Sequence, residues 1–397
     1  MLTSTLPRFA GDMQADFVGE QARAWKSARP GDELAILAPH HALALQDEQI
    51  GGVKIRRFRY FRPEGAQRLA YPAILPNIRR NPLLALQLPF FLAAEFRAAR
   101  RLAREMRADC IYAHWVMPQG LVAWLLHRVA GIPYVLQNHS SDLTVFSRFG
   151  GVGRALARAI LRDAAHFFCV NSSQRDFALA LFDGAERDAF AARCTVLPMG
   201  IAGLPDTAEI GGEWDIVTIG RLSRKKGLDL LIRAAERLAV RGIRPRIAIA
   251  GDGEERAALQ SLVRQADVHF PGFLTGAEKA RFLATARSFA FPALAADGDV
   301  EGLPVALLEG LARGRPVLAS RDTNIAMLPE WPKIRGGTVY LENPADLAAL
   351  ESGLEQLLQM QPDPLAAQAV GRYRWERLIG EYLAALDRAV PVQATAR

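Results

Sequence analysis

The chain has 397 residues, with 49 Lys and Arg against 42 Asp and Glu, and half of its residues are hydrophobic. That length is more than one ordinary core accommodates and predicts two domains of roughly 200 residues, while the composition excludes a disordered or fibrous chain. The formal charge of +7 favours anionic partners, whether phosphate, nucleic acid or an anionic membrane face.

In chain order, short β-rich runs alternate with longer amphipathic ones. LTSTL, ELAILA, VKIRRFRY, CIYAHW, YVLQNH, FFCVNS and CTVLPM read as strands in the first half, and DIVTIG, RIAIAG, VHFPGF, SFAFPA, PVLAS and TVYLE in the second. Helical stretches such as LLIRAAERLAV and EKARFLATAR lie between them. This alternation predicts an α/β chain with parallel sheets covered on both faces. The break between halves falls in AGLPDTAEIGGE, Ala202 to Glu213, which is rich in Gly and Pro and carries no periodic pattern. The expected division is 1–203, 204–372, and a C-terminal helix with a frayed tail over 373–397, the helix running from about Tyr373 to Ala389. The fold class expected is two Rossmann-like, doubly wound parallel-sheet domains facing across a cleft, with ligands at the carboxyl ends of the strands.

Cys110, Cys169 and Cys194 are far apart and set among apolar residues, which fits core thiols in a reducing compartment better than a metal site or a disulfide framework. No basic region followed by an apolar run opens the chain, so no signal peptide is expected. The most apolar stretch, Leu83 to Ala94, is about 12 residues and too short to span a bilayer.

DIVTIGRLSRKKG, Asp215 to Gly227, ends a strand at Gly220 and then places Arg221 and Lys226 beside a helix start. Two long cations with helix amides suit a diphosphate; a solvated basic turn is the other reading. DGDVEGLPVALLEG, Asp297 to Gly310, follows the strand SFAFPA, with a helix expected from Leu303 or Pro304. The amides of Gly302, Leu303 and Val305 would point out of that helix start, with Glu301 at its mouth. Glu309 would lie at most about 12 Å away on nearly the same face. A carboxylate accepts two hydrogen bonds and so can hold a ribose diol; ordinary surface glutamates are the alternative. Asp297 and Asp299 could hold Mg²⁺, but about one Asp-x-Asp is expected by chance in a chain this long, and no metal site is expected. His114 ends CIYAHW and His139 ends YVLQNH, followed by Asp142; imidazoles there can exchange a proton or hold a sugar hydroxyl. Neither Gly251-Asp252-Gly253 nor Gly151-Val152-Gly153 completes a dinucleotide fingerprint.

GRLSRKKG, IAGDGEERAAL, FPGFLTGAEKARFLATARSFAFPAL and EGLPVALLEGLARGRPVLAS together resemble the donor-domain motifs of the retaining glycosyltransferases of family 4, which have the GT-B fold. LTSTLPRFAGDMQADFVGEQARAW, AHWVMPQG and QNHSSDL are similar to the family's acceptor-domain motifs. The resemblance covers nearly the whole chain in the right order. It implies an acceptor-binding first domain and a nucleotide-sugar-binding second one. Arg221 and Lys226 would bind the donor diphosphate, Glu309 the ribose, and Glu301 the donor sugar, with amides of Gly302 and Leu303 on the phosphate or sugar. Gly11 would let its backbone approach the donor, and His139 would lie near the anomeric carbon. The catalytic set so implied is His139, Glu301, Arg221 and Lys226, with His114 and Asp142 as acceptor-side candidates. The family needs no metal or other cofactor, because the cations and helix dipole stabilise the leaving group. The leaving phosphate takes the acceptor proton on the front face, and configuration is retained. Two departures touch the sugar and acceptor site: Ser140 stands where relatives often carry Gly, and Ala202 where they often carry Asp.

VKIRRFRYFRP, Val53 to Pro63, interleaves Arg with aromatics, and a strand leading into a loop is preferred over a nucleic-acid platform. Leu83 to Arg107 has an apolar front and an Arg-rich rear, which suits either an amphipathic core helix or an element touching an anionic membrane. The function implied is transfer of a hexosyl-type sugar from a nucleoside diphosphate sugar to a lipid-linked or polysaccharide acceptor in cell-envelope glycan or glycolipid synthesis. The enzyme would be cytoplasmic or at the cytoplasmic face of the inner membrane. The alternatives are a sugar-nucleotide epimerase or phosphorylase of the same fold, and a non-catalytic nucleotide or carbohydrate binder.

Overall fold

The computed structural model describes residues 1–390 except 10, 13, 140–141, 148, 203–211 and 297–300. The chain divides into two compact units, one of Met1–Met199 with the segment from Trp375, the other of Gly200–Arg374. The expected boundaries were 203/204 and 372/373, and most of the expected linker lies outside the described residues, as does the tail 391–397. The two crossings are neighbours: the Ile201 amide donates to the Tyr373 carbonyl at 2.8 Å, and Ile201 bridges Arg374.

The first unit contains β1 Ala35–Pro39, β2 Asp47–Ile50, β3 Val53–Phe58, β4 Ile111–His114, β5 Tyr134–Gln137, β6 His166–Cys169 and β7 Cys194–Val196. β1 and β3 are parallel, β2 and β3 form an antiparallel hairpin, and β4–β5–β6–β7 are parallel. β1, β4, β5 and β6 are buried along their whole length, as expected of strands covered on both faces. The expected first strand, LTSTL, is reduced to one rung, Leu2, which bridges Leu37 of β1 and Ala113 of β4. The Thr3 hydroxyl donates to the Thr5 carbonyl at 2.9 Å and accepts from the Thr5 amide at 3.1 Å, a local turn that competes with further ladder bonds. Leu2 still joins the two parts of the sheet, and the strand order reverses between it and β4.

β2 was missed because DEQI is charged. Its partner strand follows a two-residue turn in which Gly51 and Gly52 have φ of +58° and +79°, a pairing that suits a tight hairpin. The Arg-rich strand β3 is internally paired: buried Arg57 donates to the Pro7 carbonyl at 2.6 Å and Glu48 at 2.9 Å. Arg56 meets Asp47 at 2.9 Å and Glu105 at 2.5 Å.

The amphipathic segment expected over Leu83 to Arg107 is helical over Pro82–Met106, and an 18-residue window within it has mean hydropathy 1.2, enough by length and composition alone to cross a membrane. Its α-helical part, Leu88–Met106, buries Phe91, Glu95, Ala99, Leu102 and Ala103, a stripe at helical spacing that seats it on the core. Phe91 meets Phe58 and Tyr60 edge-on at 5.1 Å each. Glu95 fits that stripe because burial pushes its carboxyl up to about 8, so it is neutral near pH 7, with Gln119 donating to it at 3.2 Å. Leu83, Leu86 and Phe90 are exposed.

The last helix, Trp375–Ala389, begins two residues later than expected and buries Trp375, Leu378, Ile379, Tyr382, Leu383, Ala385 and Leu386. It packs along helix Phe17–Ala28, and the Tyr382 hydroxyl donates to the Leu197 carbonyl at 3.0 Å. All three cysteines are free; Cys169 is buried and the other two half-buried, and burial pushes the Cys110 and Cys194 thiols up to about 12.

The second unit holds β8 Trp214–Ile219, β9 Ile247–Ala250, β10 Val268–Gly272, β11 Ala286–Phe291, β12 Val317–Ser320 and β13 Thr338–Leu341. Their order is β10-β9-β8-β11-β12-β13, and every pair is parallel. This is the 3-2-1-4-5-6 order of the doubly wound fold, and the order reverses between β8 and β11, where such sheets bind ligands. Two glycines let the loops converge there. Gly251, at φ +133°, lies so close to Gly220 that any Cβ would strike its carbonyl, and Gly227, at φ +64°, approaches the Pro292 carbonyl in the same way.

Candidate functional site

At the carboxyl edge of the second unit's sheet, the loop after β8 runs Gly220 to Gly227 and leads into helix Leu228–Val240. The Leu294 amide, just past β11, donates to the Lys225 carbonyl at 2.9 Å and ties the two strand ends together. Across this junction Lys226 Nζ lies 3.1 Å and Lys225 Nζ 3.6 Å from Glu301 Oε1. Glu301 is buried, which pushes its pKa up, but Lys226 and Lys225 outweigh burial and hold the carboxylate below its usual range. Oε1 thus lies buried against two ammonium groups.

Arg221 turns elsewhere and pairs with Glu254 at 3.0 Å. The cations gathered on Glu301 are Lys225 and Lys226, while the expected pair Arg221 and Lys226 line one hollow at this edge. A small hollow lined by Gly220, Arg221, Lys226 and Leu228 opens at this edge.

The segment Glu301 to Glu309 is not one helix. The helix begins at Val305, because Pro304 is extended at φ −64°, ψ 119°, and Glu301 lies in the loop before it. Glu301 thus stands at the mouth of the helix start, as expected, and Glu309 lies in the second turn. Asn324, at φ +60°, donates from its side chain to the carbonyls of Glu301 at 2.9 Å and Gly302 at 2.8 Å. In a trans peptide the amide opposes its carbonyl, so this clasp aims the Gly302 and Leu303 amides away from Asn324. Glu309 is also buried; Oε1 accepts from Lys279 Nζ at 2.9 Å, while Oε2 has no partner among the described residues. One oxygen of Glu309 is therefore available to a hydroxyl.

The first unit gathers its candidates around its own order reversal. Gly11 takes φ +83° in a loop where a Cβ would meet nothing, so backbone conformation alone calls for glycine. Arg8 closes that loop on Asp12, with its Nε 2.8 Å and its backbone amide 2.7 Å from Oδ2. His114 Nδ1 lies 3.0 Å from His139 Nε2. The His139 ring packs against Trp115 at 4.7 Å, Phe17 at 4.9 Å and His114 at 5.3 Å. His139 retains some exposure, but this surround pushes its pKa down to about 3, so its imidazole is neutral at physiological pH. His114, fully buried, is also pushed well down, by burial first and by its neighbour His139 second. Asp142 is buried and engaged in holding loops: it accepts from the Val116 amide at 2.8 Å and Asn138 Nδ2 at 2.5 Å, which makes it a positioning residue. Ser140, Asp297 and Asp299 lie outside the described residues, and among the described ones no group of three His, Cys, Asp or Glu could hold a metal ion.

Sequence reasoning missed Lys225, Lys279, Asn324 and the Arg8–Asp12 clasp. The RKK run carried a signal for Lys225; Asn324 and Lys279 come from distant elements and carried none.

The two histidines predict an acid-side loss of stability. The unfolded chain takes up protons near pH 6.5, whereas folded His139 resists to about 3. The stabilisation is therefore complete above about pH 6.5 and declines as pH falls through that window. His139→Gln should flatten the slope of unfolding free energy between about pH 6.5 and 4.5 by up to roughly 1.4 kcal/mol per pH unit. Urea unfolding at fixed pH measures this, and equal slopes in the two proteins would sink the assignment.

Comparisons with known proteins agree with this two-unit arrangement. Residues 14–200 match the family described as glycosyl transferase 4-like domain, and residues 213–360 match glycosyl transferases group 1. A protein of Escherichia coli K12 named for colanic acid biosynthesis, the glycosyltransferase WcaL, is 36% identical over 157 residues, 38% of this chain and 38% of its own length. The amylovoran biosynthesis glycosyltransferase AmsK of Erwinia amylovora is 34% identical over 174 residues, 43% of this chain and 42% of its own. The matches thus span well under half the length of these relatives. The sucrose-phosphate synthase of Thermosynechococcus elongatus has the same fold at a TM-score of 0.66 and 17% identity, covering 94% of this chain and 93% of that one. With both halves matched in tandem and the fold shared end to end, the chain belongs to the family 4-like glycosyltransferases of the GT-B fold.

Proposed function

We infer that the chain is a retaining glycosyltransferase that moves a hexosyl-type sugar from a nucleoside diphosphate sugar to a lipid-linked or polysaccharide acceptor in cell-envelope glycan or glycolipid synthesis. The observation that carries this reading is the buried Glu301 with Lys225 and Lys226 at the β8–β11 switch point. A diphosphate drawn to the lysines would replace their carboxylate partner, leaving Glu301 to accept hydroxyls of the donor sugar. Arg221, half-buried and paired with Glu254, would join the lysines on the diphosphate. The vacant oxygen of Glu309 suits a ribose hydroxyl, and the amides of Gly302 and Leu303 suit phosphate or sugar oxygens. Preorganised cations stabilise charge developing on the leaving phosphate, which then takes the acceptor proton. The family resemblance gives His139 to the sugar hydroxyls; as a neutral imidazole it would donate or accept a hydrogen bond without carrying charge. The relatives named for colanic acid and amylovoran biosynthesis support an envelope-polysaccharide role.

Lys226→Ala and Glu309→Ala should each weaken binding of the nucleoside diphosphate by roughly 10–100-fold, since each removes a charge-assisted or buried hydrogen bond worth about 1.5–3 kcal/mol. Calorimetry checks this, and unchanged affinity in both variants would remove the reading. Transfer should proceed in EDTA, and NMR of the product should show the donor's anomeric configuration; inversion, or an absolute requirement for Mg²⁺, would contradict the mechanism.

We further place the enzyme in the cytoplasm, at the inner face of the inner membrane, through the segment 83–107. Leu83, Leu86 and Phe90 stand exposed near Arg79 and Arg80, with Arg97, Arg101 and Arg104 exposed along the same helix, which suits an anionic lipid surface. Co-sedimentation with anionic vesicles should fall at least about tenfold when Leu83, Leu86 and Phe90 become Ser. It should also fall when Arg97, Arg100, Arg101 and Arg104 become Glu, and unaltered sedimentation in both would exclude the contact.

A further inference from the structure

The amino edge of the second unit's sheet carries a feature that the donor chemistry does not use. A cavity of about 160 Å³ lies there, lined by Asp215 at the start of β8, Arg287 and Ser288 at the start of β11, Arg315 just before β12, and the chain from Leu357 to Pro362. Arg315 is only 3% exposed. Its guanidinium meets no carboxylate, and Nε is buried without a partner among the described residues. Nothing from the wall compensates it. Both Asp215 oxygens are engaged, one by Arg287 at 3.3 Å and the other by the Arg246 amide at 2.9 Å. The Ser288 hydroxyl is committed to the Asp215 carbonyl at 2.7 Å. The wall therefore carries one uncompensated positive charge beside a neutralised ion pair.

A buried guanidinium is normally matched. Arg57, equally buried, has both Glu48 and the Pro7 carbonyl. An unmatched one is costly, because desolvation is not repaid by any acceptor. The cavity has the room of about five water molecules at liquid density, enough for a tetrahedral oxyanion with some of its hydration. The guanidinium fork matches such an anion with paired donors.

We propose that this cavity is a binding site for a small oxyanion of the phosphate class, held by Arg315 with Arg287 at its mouth. It is separate from the donor cations. β8 has six residues at about 3.3 Å each, which sets the cavity roughly 15–20 Å from Lys226 at the other end of the strand.

Inorganic phosphate is the probe, titrated at constant ionic strength against chloride while the melting temperature of the full chain is followed. The donor edge can also take phosphate, so the comparison is made with Lys226 replaced. Lys226→Ala should keep a phosphate-specific rise, and the double variant Lys226→Ala with Arg315→Met should lose it, with phosphate affinity reduced at least about tenfold. Without phosphate, Arg315→Met should melt no lower than the wild type, because an unmatched buried charge has been replaced by an apolar chain. A phosphate response that survives in the double variant, or no phosphate-specific response in Lys226→Ala, overturns the proposal. If the double variant does not fold, a wild-type crystal soaked in phosphate decides. Tetrahedral density against the Arg315 guanidinium supports the site; density only beside Arg221 and Lys226, or water alone in the cavity, refutes it.

Discussion

A single buried carboxylate organises the second unit's working edge. Glu301 sits where the strand order reverses, and a carboxylate withdrawn from water there must be met by positive charge. Lys225 and Lys226 meet it from the loop after β8. Two further constraints follow. The loop must come close enough to deliver both lysines, which Gly227 permits at the Pro292 carbonyl. The peptide after Glu301 must be held in one orientation, which Asn324 enforces from the loop after β12. Charge, close approach and peptide orientation thus converge on one point from three strand ends.

The first unit solves a different problem at its own order reversal. Its histidines lie among aromatic rings and against each other, an environment that denies them charge. A neutral pair can relay hydrogen bonds but cannot act as a cation. The second unit gathers lysines on a carboxylate, while the first sets neutral imidazoles beside a loop held by Asp142 and Asn138.

The architecture was legible because alternating apolar strands and amphipathic helices write their periods directly into the chain. Gly220, Glu301 and Glu309 were legible because strand ends and helix starts have local signatures. What could not be read locally was who meets whom. Arg221 and Lys226 look alike in sequence, yet one faces Glu254 and the other Glu301, a choice made by loop geometry after β8. Lys279 reaches Glu309 from another helix, and Asn324 reaches Glu301 from more than 20 residues away. Pro304 caps the helix in an extended conformation, so the helix starts at Val305, one residue past the expected start, with Glu301 before it as expected. The Leu2 strand failed for a local reason, since a threonine turn outcompeted the ladder.

The hydrogen-bonded meeting of Ile201 with Tyr373, beside Arg374, has an evolutionary consequence. The chain leaves the first unit and returns to it at adjacent points, so the second unit is topologically an insertion whose two ends are already together. Such a cassette can be exchanged between relatives without rethreading its host, because both splice points open and close in one place. The two units can then diversify on separate schedules within one continuous polypeptide.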